Sequence, residues 1–442
     1  MPDTEEPGKR EKTKREFMRE TIVKPPLSKR QLVKRLCLFV CLSVLFGALA
    51  AVSFVLSKPL ADRYLGAEEP SESPTILFTK DEPETTAAPA ETEAPEPSEE
   101  ETFEAELLED AVEKVMAGYS FSQQNLDSLS SVLRDIGTQS DKGIVTVSPG
   151  KQQTDLFGNP VENTTSYAGA VIAQTSGEYL IFTYADAVRQ ADYISVLFYN
   201  GTEAAGEVRQ IDGVNGMAVL AVKAASMDSE TRSEVKVLNL GNSYSVRIGD
   251  MVLGVGAPSG MVHSLTYGIV SYVARDVQVP DGITRVLYTD IRSNSGAGTF
   301  LVNTAGEIVG WTTAQYGTED GGGLTAAVSI SDYKTVLEKM TNNSPAPYFG
   351  IRGQEISEAM GETGIPRGVY VTEALAGSPA YDAGIQNGDI IVLFGEKEIL
   401  TFKELQTQIE TCQCGTAVAV KVMRRGREGY TELEYKVDIR AR

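Results

Sequence analysis

The chain of 442 residues, of which 42% are hydrophobic and 23% charged, is long enough for two or three domains of globular composition. A formal net charge of -21, with no basic stripe along the sequence, excludes a nucleic-acid-binding role. Of the four cysteines, two lie in an apolar run and two form a C-x-C at Cys412 and Cys414, so we expect no disulfide framework, no metal site and no cofactor.

The N-terminal region predicts a membrane anchor. Residues 1–35 form a basic cytoplasmic tail with 11 Lys/Arg against 6 Asp/Glu, and residues 36–57 include the 21-residue uncharged run Leu36–Leu56. That length spans a bilayer as a helix, and the basic flank places the bulk of the chain outside the cell membrane. A cleaved signal peptide is the alternative, because residues 48–50 resemble a cleavage site. The long leading segment and the continuing apolar run favour an uncleaved single-pass transmembrane helix.

An acidic segment follows. Residues 58–104 are dominated by Glu, Pro, Thr, Ser and Ala, a composition that cannot bury enough apolar surface to fold. We therefore predict a disordered, self-repelling linker, with an acidic docking tail as the alternative. Residues 105–140 have apolar side chains at helical spacing and predict a helical extension.

Short β-rich runs such as EYLIFTY and MAVLAVK fill residues 141–340 and are separated by Gly, Asn and Asp. Many short strands at this spacing, with NG and SG turns, indicate antiparallel barrels or a sandwich. The stretch TNNSPAP, Thr341–Pro347, marks a domain boundary. Beyond it, residues 345–440 combine strands with a short helix in SPAYDAG and a longer one in TFKELQTQIET.

Several motifs fall in a fixed order. They are TYADAV, GMAVL, SNSGAG, then PYFGI and AGIQNGDII with its Ala-Gly-x-x-x-Gly-Asp-x-Ile spacing. In this order they resemble the HtrA/DegP family of extracytoplasmic chymotrypsin-like serine endopeptidases that carry a peptide-binding PDZ domain. The resemblance implies a mainly β fold, with a double antiparallel β-barrel of chymotrypsin type at residues 141–340 and an α+β PDZ domain at 345–440. It also implies a homotrimer formed through the protease domain.

The resemblance assigns the catalytic positions residue by residue. The family's histidine corresponds to Asp186 in TYADAV, its orienting aspartate to Gly216 in GMAVL, and its nucleophile to Ser295 in SNSGAG. The oxyanion-hole positions fall on Ser293, where the family has glycine, and on Asn294. Three parts of the apparatus are thus altered.

A serine nucleophile needs a base that takes its proton and then protonates the leaving amine. Aspartate, with an ordinary pKa near 4, is poorly matched to that task at neutral pH, and loss of the histidine costs a triad enzyme about 10⁶ in rate. The single histidine, His263, matches a family segment that supplies no triad member, so we interpret it as a surface or turn residue. The prediction is a pseudoprotease. One alternative is an active serine endopeptidase that uses Ser295 with a non-standard base, and another is a non-catalytic scaffold of an envelope complex.

The resemblance also makes PYFGI the carboxylate-binding loop of the PDZ domain, with Tyr348, Phe349, Gly350 and Ile351 as peptide-binding residues. Backbone N–H groups of such a loop capture a terminal carboxylate, and the peptide adds as a strand beside the predicted Thr401–Thr411 helix. The alternative is a plain edge strand. We therefore expect unfolded polypeptides or protein C-termini as partners, in envelope protein quality control or regulation.

Overall fold

The computed structural model of the chain describes five stretches, residues 75–81, 122–151, 165–293, 296–317 and 323–442. The predicted cytoplasmic tail and transmembrane helix, residues 1–57, lie outside them. Within these five stretches, no helix is both long enough and apolar enough to cross a bilayer.

A helix, α1 (Gln123–Asp141), leads into the strands. The Asn125 side chain accepts the Ser122 N–H at 3.0 Å, which satisfies one of the free donors at the start of the helix. Gly137 lies against Leu265 so closely that a Cβ atom would collide with its side chain. Helix α1 therefore packs closely on the second barrel at Gly137, where a larger side chain would require Leu265 to move.

Six antiparallel strands close the first barrel in the order β1-β2-β3-β6-β5-β4. Their bounds are β1 (Ile144–Gly150), β2 (Tyr167–Gln174), β3 (Glu178–Tyr184), β4 (Tyr193–Phe198), β5 (Glu203–Asp212) and β6 (Met217–Lys223). Strand β3 is buried on both faces. Tyr179 and Ile181 face the barrel interior, while Leu180 and Phe182 enter the core shared with the second barrel. This double burial explains why EYLIFTY is continuously apolar instead of alternating.

A short helix, α2 (Ser229–Glu234), lies on the connection to a second closed barrel with the order β10-β11-β12-β9-β8-β7. The bounds are β7 (Met251–Gly256), β8 (Ser264–Val279), β9 (Gly282–Thr289), β10 (Thr299–Val302), β11 (Ile308–Thr312) and β12 (Thr325–Ser329). Phe182 of the first barrel packs edge-on against Phe300 at 5.5 Å and Trp311 at 5.4 Å, between ring centroids. These aromatic contacts hold the two barrels together.

Residues 75–81 pack on the helix that follows the second barrel, α3 (Lys334–Thr341). The Ile76 N–H donates to Asn342 Oδ1 at 2.9 Å, and a nearly buried ion pair joins Asp81 Oδ2 to Lys334 Nζ at 2.8 Å. The prediction of a disordered linker is therefore wrong for these seven residues. Ile76 and Phe78 bury apolar surface that the acidic composition of the whole segment conceals.

The last unit is a PDZ domain whose sheet runs β14-β15-β16-β18-β19, with β17 beside β16 and β13 beside β20. Its strands are β13 (Pro347–Tyr348), β14 (Ile351–Glu355), β15 (Val369–Ala374), β16 (Ile390–Phe394), β17 (Lys397–Glu398), β18 (Ala417–Arg425), β19 (Tyr430–Asp438) and β20 (Arg440–Ala441). Its helices are α4 (Glu358–Glu362), α5 (Pro379–Ala383) and α6 (Phe402–Thr411). Two barrels followed by a PDZ domain confirm the predicted fold, with barrels in place of the sandwich alternative.

Candidate functional sites

The loop with the sequence SNSGAG lies between β9 and β10 at the junction of the two barrels. Ser295 and Asn294 lie outside the described residues, so the structure does not place the nucleophile position. The hydroxyl of Ser293 donates to Thr299 Oγ1 at 2.8 Å, and the Ala297 carbonyl accepts the Ala168 N–H at 2.8 Å. The described ends of the loop thus contact both barrels, as expected for a site built at a barrel junction.

Asp186 and Gly216, which the resemblance assigns to the triad histidine and aspartate positions, lie on two loops that touch in the structure. Asp186 is exposed on the 3-10 turn Ala185–Ala187, directly after β3. The Ala185 N–H donates to the Gly216 carbonyl at 2.9 Å, so the two loops touch. Gly216 has φ of 70°, and a Cβ atom there would meet no heavy atom within 4 Å. The two loops are joined through their backbones, while Asp186 carries a carboxylate and Gly216 carries no side chain.

The nearest acidic residue before Gly216 on the same turn is Asp212, which is buried. Its carboxylate accepts the N–H groups of Val214 and Asn215, both at 3.0 Å, and lies 3.7 Å from Arg442 Nη1. Asp212 thereby shapes the turn and pairs with Arg442, which follows the last strand of the PDZ domain.

Asp186 borders an open cavity of about 360 Å³ on the first barrel, together with Lys151, Tyr167 and Arg189. Burial raises the pKa of Tyr167, and the negative charge of Asp186 raises it further. Tyr167 is therefore a neutral phenol at neutral pH and does not act as a base.

Tyr184 occupies the barrel junction, and the sequence analysis did not single it out. Its hydroxyl donates to the Thr312 carbonyl at 2.9 Å and accepts the Thr299 N–H at 3.2 Å. Its ring lies so near Gly298 that a Cβ atom there would be 2.9 Å from Tyr184 Cε2. Burial raises the pKa of Tyr184 to about 12, so its hydroxyl stays protonated and fastens the barrels together. The only signal in the sequence was the position of Tyr184 in TYADAV, two residues before Asp186.

His263 lies in the turn before β8 with φ of 66°. Its Nδ1 atom is 3.0 Å from Asp141 Oδ1 at the end of α1, and the side chain is about a quarter exposed (27%). The structure therefore pairs the single histidine with the helical extension.

The predicted carboxylate-binding loop is fixed by a buried aromatic side chain and by one glycine. Phe349 is buried against Phe394, with ring centroids 5.4 Å apart, which anchors the loop to the PDZ core. Gly350 has φ of 91°, and a Cβ atom there would collide with Ser378. Only glycine fits this position, and consecutive N–H groups consequently point to one side of the loop.

These N–H groups all donate to one side chain, the carboxylate of Asp281 in the turn between β8 and β9. The distances are 2.9 Å from Phe349 N to Oδ2, 2.6 Å from Gly350 N to Oδ1 and 3.0 Å from Ile351 N to Oδ1. Burial raises the pKa of Asp281, while the charge of Arg442 and the three N–H groups oppose that rise. Nothing in the sequence near Asp281 indicates this contact, because Val-Pro-Asp-Gly is an ordinary hairpin turn.

Two barrels with a serine loop at their junction, followed by a separate α+β unit, define the fold of a trypsin-like peptidase joined to a PDZ domain. A model of the trypsin-like peptidase domain matches residues 168–310, and a PDZ domain model matches residues 347–435. The chain belongs to the HtrA/DegP family.

Relatives with this organisation carry protease names. Serine protease Do-like HtrA of Bacillus subtilis is 29% identical over 70% of this chain and 73% of its own length. Periplasmic pH-dependent serine endoprotease DegQ of Escherichia coli is 28% identical over 64% of this chain, which spans 62% of that relative. A variant of the HtrA-type protease AlgW, solved with a tripeptide, is 20% identical with a TM-score of 0.50 and covers 70% of this chain and 97% of its own. That last similarity is one of fold.

Proposed function

We propose that this chain is a membrane-anchored, extracytoplasmic pseudoprotease that binds unfolded polypeptides or protein C-termini through its PDZ domain. The observation that carries the proposal is the pair Asp186 and Gly216, which stand in the triad positions on loops joined by a 2.9 Å hydrogen bond. The loops of a serine protease are retained there without an imidazole.

Chemistry at the described residues supports an inactive centre. Acyl transfer from a serine needs one group that accepts a proton and returns it to the leaving amine. The single histidine contacts Asp141, and the phenols of Tyr167 and Tyr184 both have raised pKa values. Carboxylates such as Asp186 are poor general bases at neutral pH.

Peptide capture is supported by the loop of the PDZ domain. Its N–H groups converge on a single carboxylate, which is the geometry that a terminal carboxylate requires. Helix α6 and strand β14 border the groove where an added strand would lie. The AlgW variant, which shares this fold, was solved with a tripeptide.

Labelling and cleavage assays test the loss of proteolysis. The full chain is treated with a fluorophosphonate probe and with unfolded casein, beside a Ser295→Ala variant. We expect no labelling and no cleavage that depends on Ser295. Labelling and cleavage in the wild-type chain, both abolished in Ser295→Ala, would establish the alternative of an active endopeptidase. The protease names of the relatives favour that alternative.

The anchor and the assembly belong to the same proposal. A single-pass helix at residues 36–57 predicts that the chain stays in the membrane fraction after carbonate extraction, and that external protease reaches the barrels in intact cells. A homotrimer predicts a threefold mass in sedimentation of the detergent-solubilised chain. Extraction into the soluble fraction would contradict the anchor, and a monomeric mass would contradict the trimer.

A further inference from the structure

We propose that the turn between β8 and β9 is an internal ligand of the PDZ domain, in which Asp281 takes the place of a peptide's terminal carboxylate. A peptide C-terminus then binds only after this turn has left the loop. The inference rests on the proposed function, because it concerns the regulation of the same peptide site.

The hydrogen bonds of Asp281 reproduce those of a bound C-terminus. Both carboxylate oxygens accept N–H groups of the loop, and the Asp281 N–H donates to the Ile351 carbonyl at 2.8 Å. Hydrogen bonds to an ionised acceptor are the stronger kind. The turn thereby uses the donors and the first acceptor that an added peptide strand would need.

The residues beside Asp281 fill the groove. Val279 is buried, and Ile283 packs against the apolar core of the PDZ domain. Gly282 faces α6, where a Cβ atom would be 3.0 Å from the Gln406 side chain. A cavity of about 10 Å³, roughly the room for one water molecule, is lined by the turn, by Gln406 and Glu410 of α6, and by Tyr333 and Arg442. The turn therefore packs closely on α6, and a peptide could lie beside α6 at Gly282 only after the turn has moved.

The contact also joins groups from separate parts of the chain. Asp281 is 1% exposed and has φ of 63°, a conformation that non-glycine residues seldom adopt. The positive charge of Arg442 acts on both Asp281 and Asp212, and the two carboxylates raise the pKa of Arg442 against the opposing effect of its burial. A buried carboxylate needs such partners. The carboxylate of a bound peptide would accept the same N–H groups, and the released Asp281 carboxylate would be hydrated.

Occupation of the site from within lowers the apparent affinity for peptides. The apparent dissociation constant rises by the inverse of the fraction of molecules in which the loop is free. A docked fraction above nine-tenths therefore weakens peptide binding by about tenfold or more. By reciprocity, a bound peptide holds the β8–β9 hairpin away from the PDZ domain.

The test compares Asp281→Ala with Asp276→Ala, which removes an exposed aspartate from the same hairpin. The probe is a fluorescein-labelled pool of decapeptides with the last three positions randomised and free α-carboxylates, and a second pool carries C-terminal amides. Polarisation with the full chain is expected to show at least tenfold tighter binding of the free-acid pool by Asp281→Ala. We expect no change in Asp276→Ala and no gain for the amide pool. Equal affinities of Asp281→Ala and wild type would overturn the inference.

Hydrogen exchange separates this inference from the proposed function. If no variant binds the free-acid pool, peptide capture fails, and the amides of residues 349–351 then decide whether the loop is occupied from within. Faster exchange of these amides in Asp281→Ala than in Asp276→Ala supports occupation, and equal rates refute it. Circular dichroism checks folding. Should Asp281→Ala not fold, Asp281→Asn keeps the side-chain volume, removes one acceptor, and is read against the same two outcomes.

Discussion

Replacement of Tyr184 by phenylalanine tests whether the barrel junction depends on one hydroxyl. The substitution removes the acceptor of the Thr299 N–H and the donor to the Thr312 carbonyl, at 3.2 and 2.9 Å, and it keeps the ring. A buried polar group that loses its partner costs about 1–3 kcal/mol. We therefore expect the free energy of unfolding to fall by about 2 kcal/mol in Tyr184→Phe.

The assay is urea unfolding followed by the fluorescence of Trp311, the only tryptophan, which lies at the same junction. The midpoint should fall while the slope of the free energy against urea stays constant, because the surface exposed on unfolding is unchanged. Tyr193→Phe is the matched control, since Tyr193 is 55% exposed and surface changes usually stay within about 0.5 kcal/mol. A change in Tyr184→Phe no larger than in this control would refute the reasoning.

Three further predictions concern charge, backbone conformation and pH. Asp81→Ala leaves the buried ammonium of Lys334 without its carboxylate, so stability in urea should fall by about 3 kcal/mol, and a loss below 1 kcal/mol would mean that water reaches the site. Gly350→Ala should unfold the PDZ domain in limited proteolysis, while Gly377→Ala, with positive φ but open space, should stay resistant. Hydrogen bonds from the backbone of residues 400 and 401 lower the pKa of Glu404, so its stabilisation is present above the usual value of 4.5 and is lost as pH falls through the lowered value. The stability profile of Glu404→Gln should lack this acid limb, and an identical profile would contradict the assignment.

Local sequence determined much of the PDZ domain. Ser378 caps the start of helix α5 by accepting the Tyr381 N–H with its hydroxyl, and Gly384, with φ of 100°, caps its end. Helix α6 begins with a capping box between Thr401 and Glu404. These signals depend only on neighbours three or four residues apart, so SPAYDAG and TFKELQTQIET were sufficient to predict both helices.

Contacts between distant segments were not predictable in the same way. Asp281 contacts a loop about 70 residues later in the chain, and the sequence of its hairpin turn carries no information about that partner. Tyr184 contacts Thr312 across the two barrels, and the TYADAV stretch in which it lies gives no sign of that partner. The packing of residues 75–81 was not predicted, because the composition of the whole acidic segment outweighs the three consecutive apolar residues within it. In each case the missing information was a tertiary partner.

Strand β9 connects the two candidate sites, since Asp281 precedes its first residue and the loop carrying Ser295 follows its last. An unreactive wild-type chain therefore has two explanations. Either Ser295 lacks a base, or docking of the β8–β9 turn on the PDZ domain keeps the serine loop in an inactive conformation. The Asp281→Ala chain separates them in the fluorophosphonate assay. We expect it to remain unlabelled, because release of the turn supplies no imidazole to the position of Asp186. Labelling at Ser295 in that chain alone would mean that the loop is competent and held inactive by the docked turn.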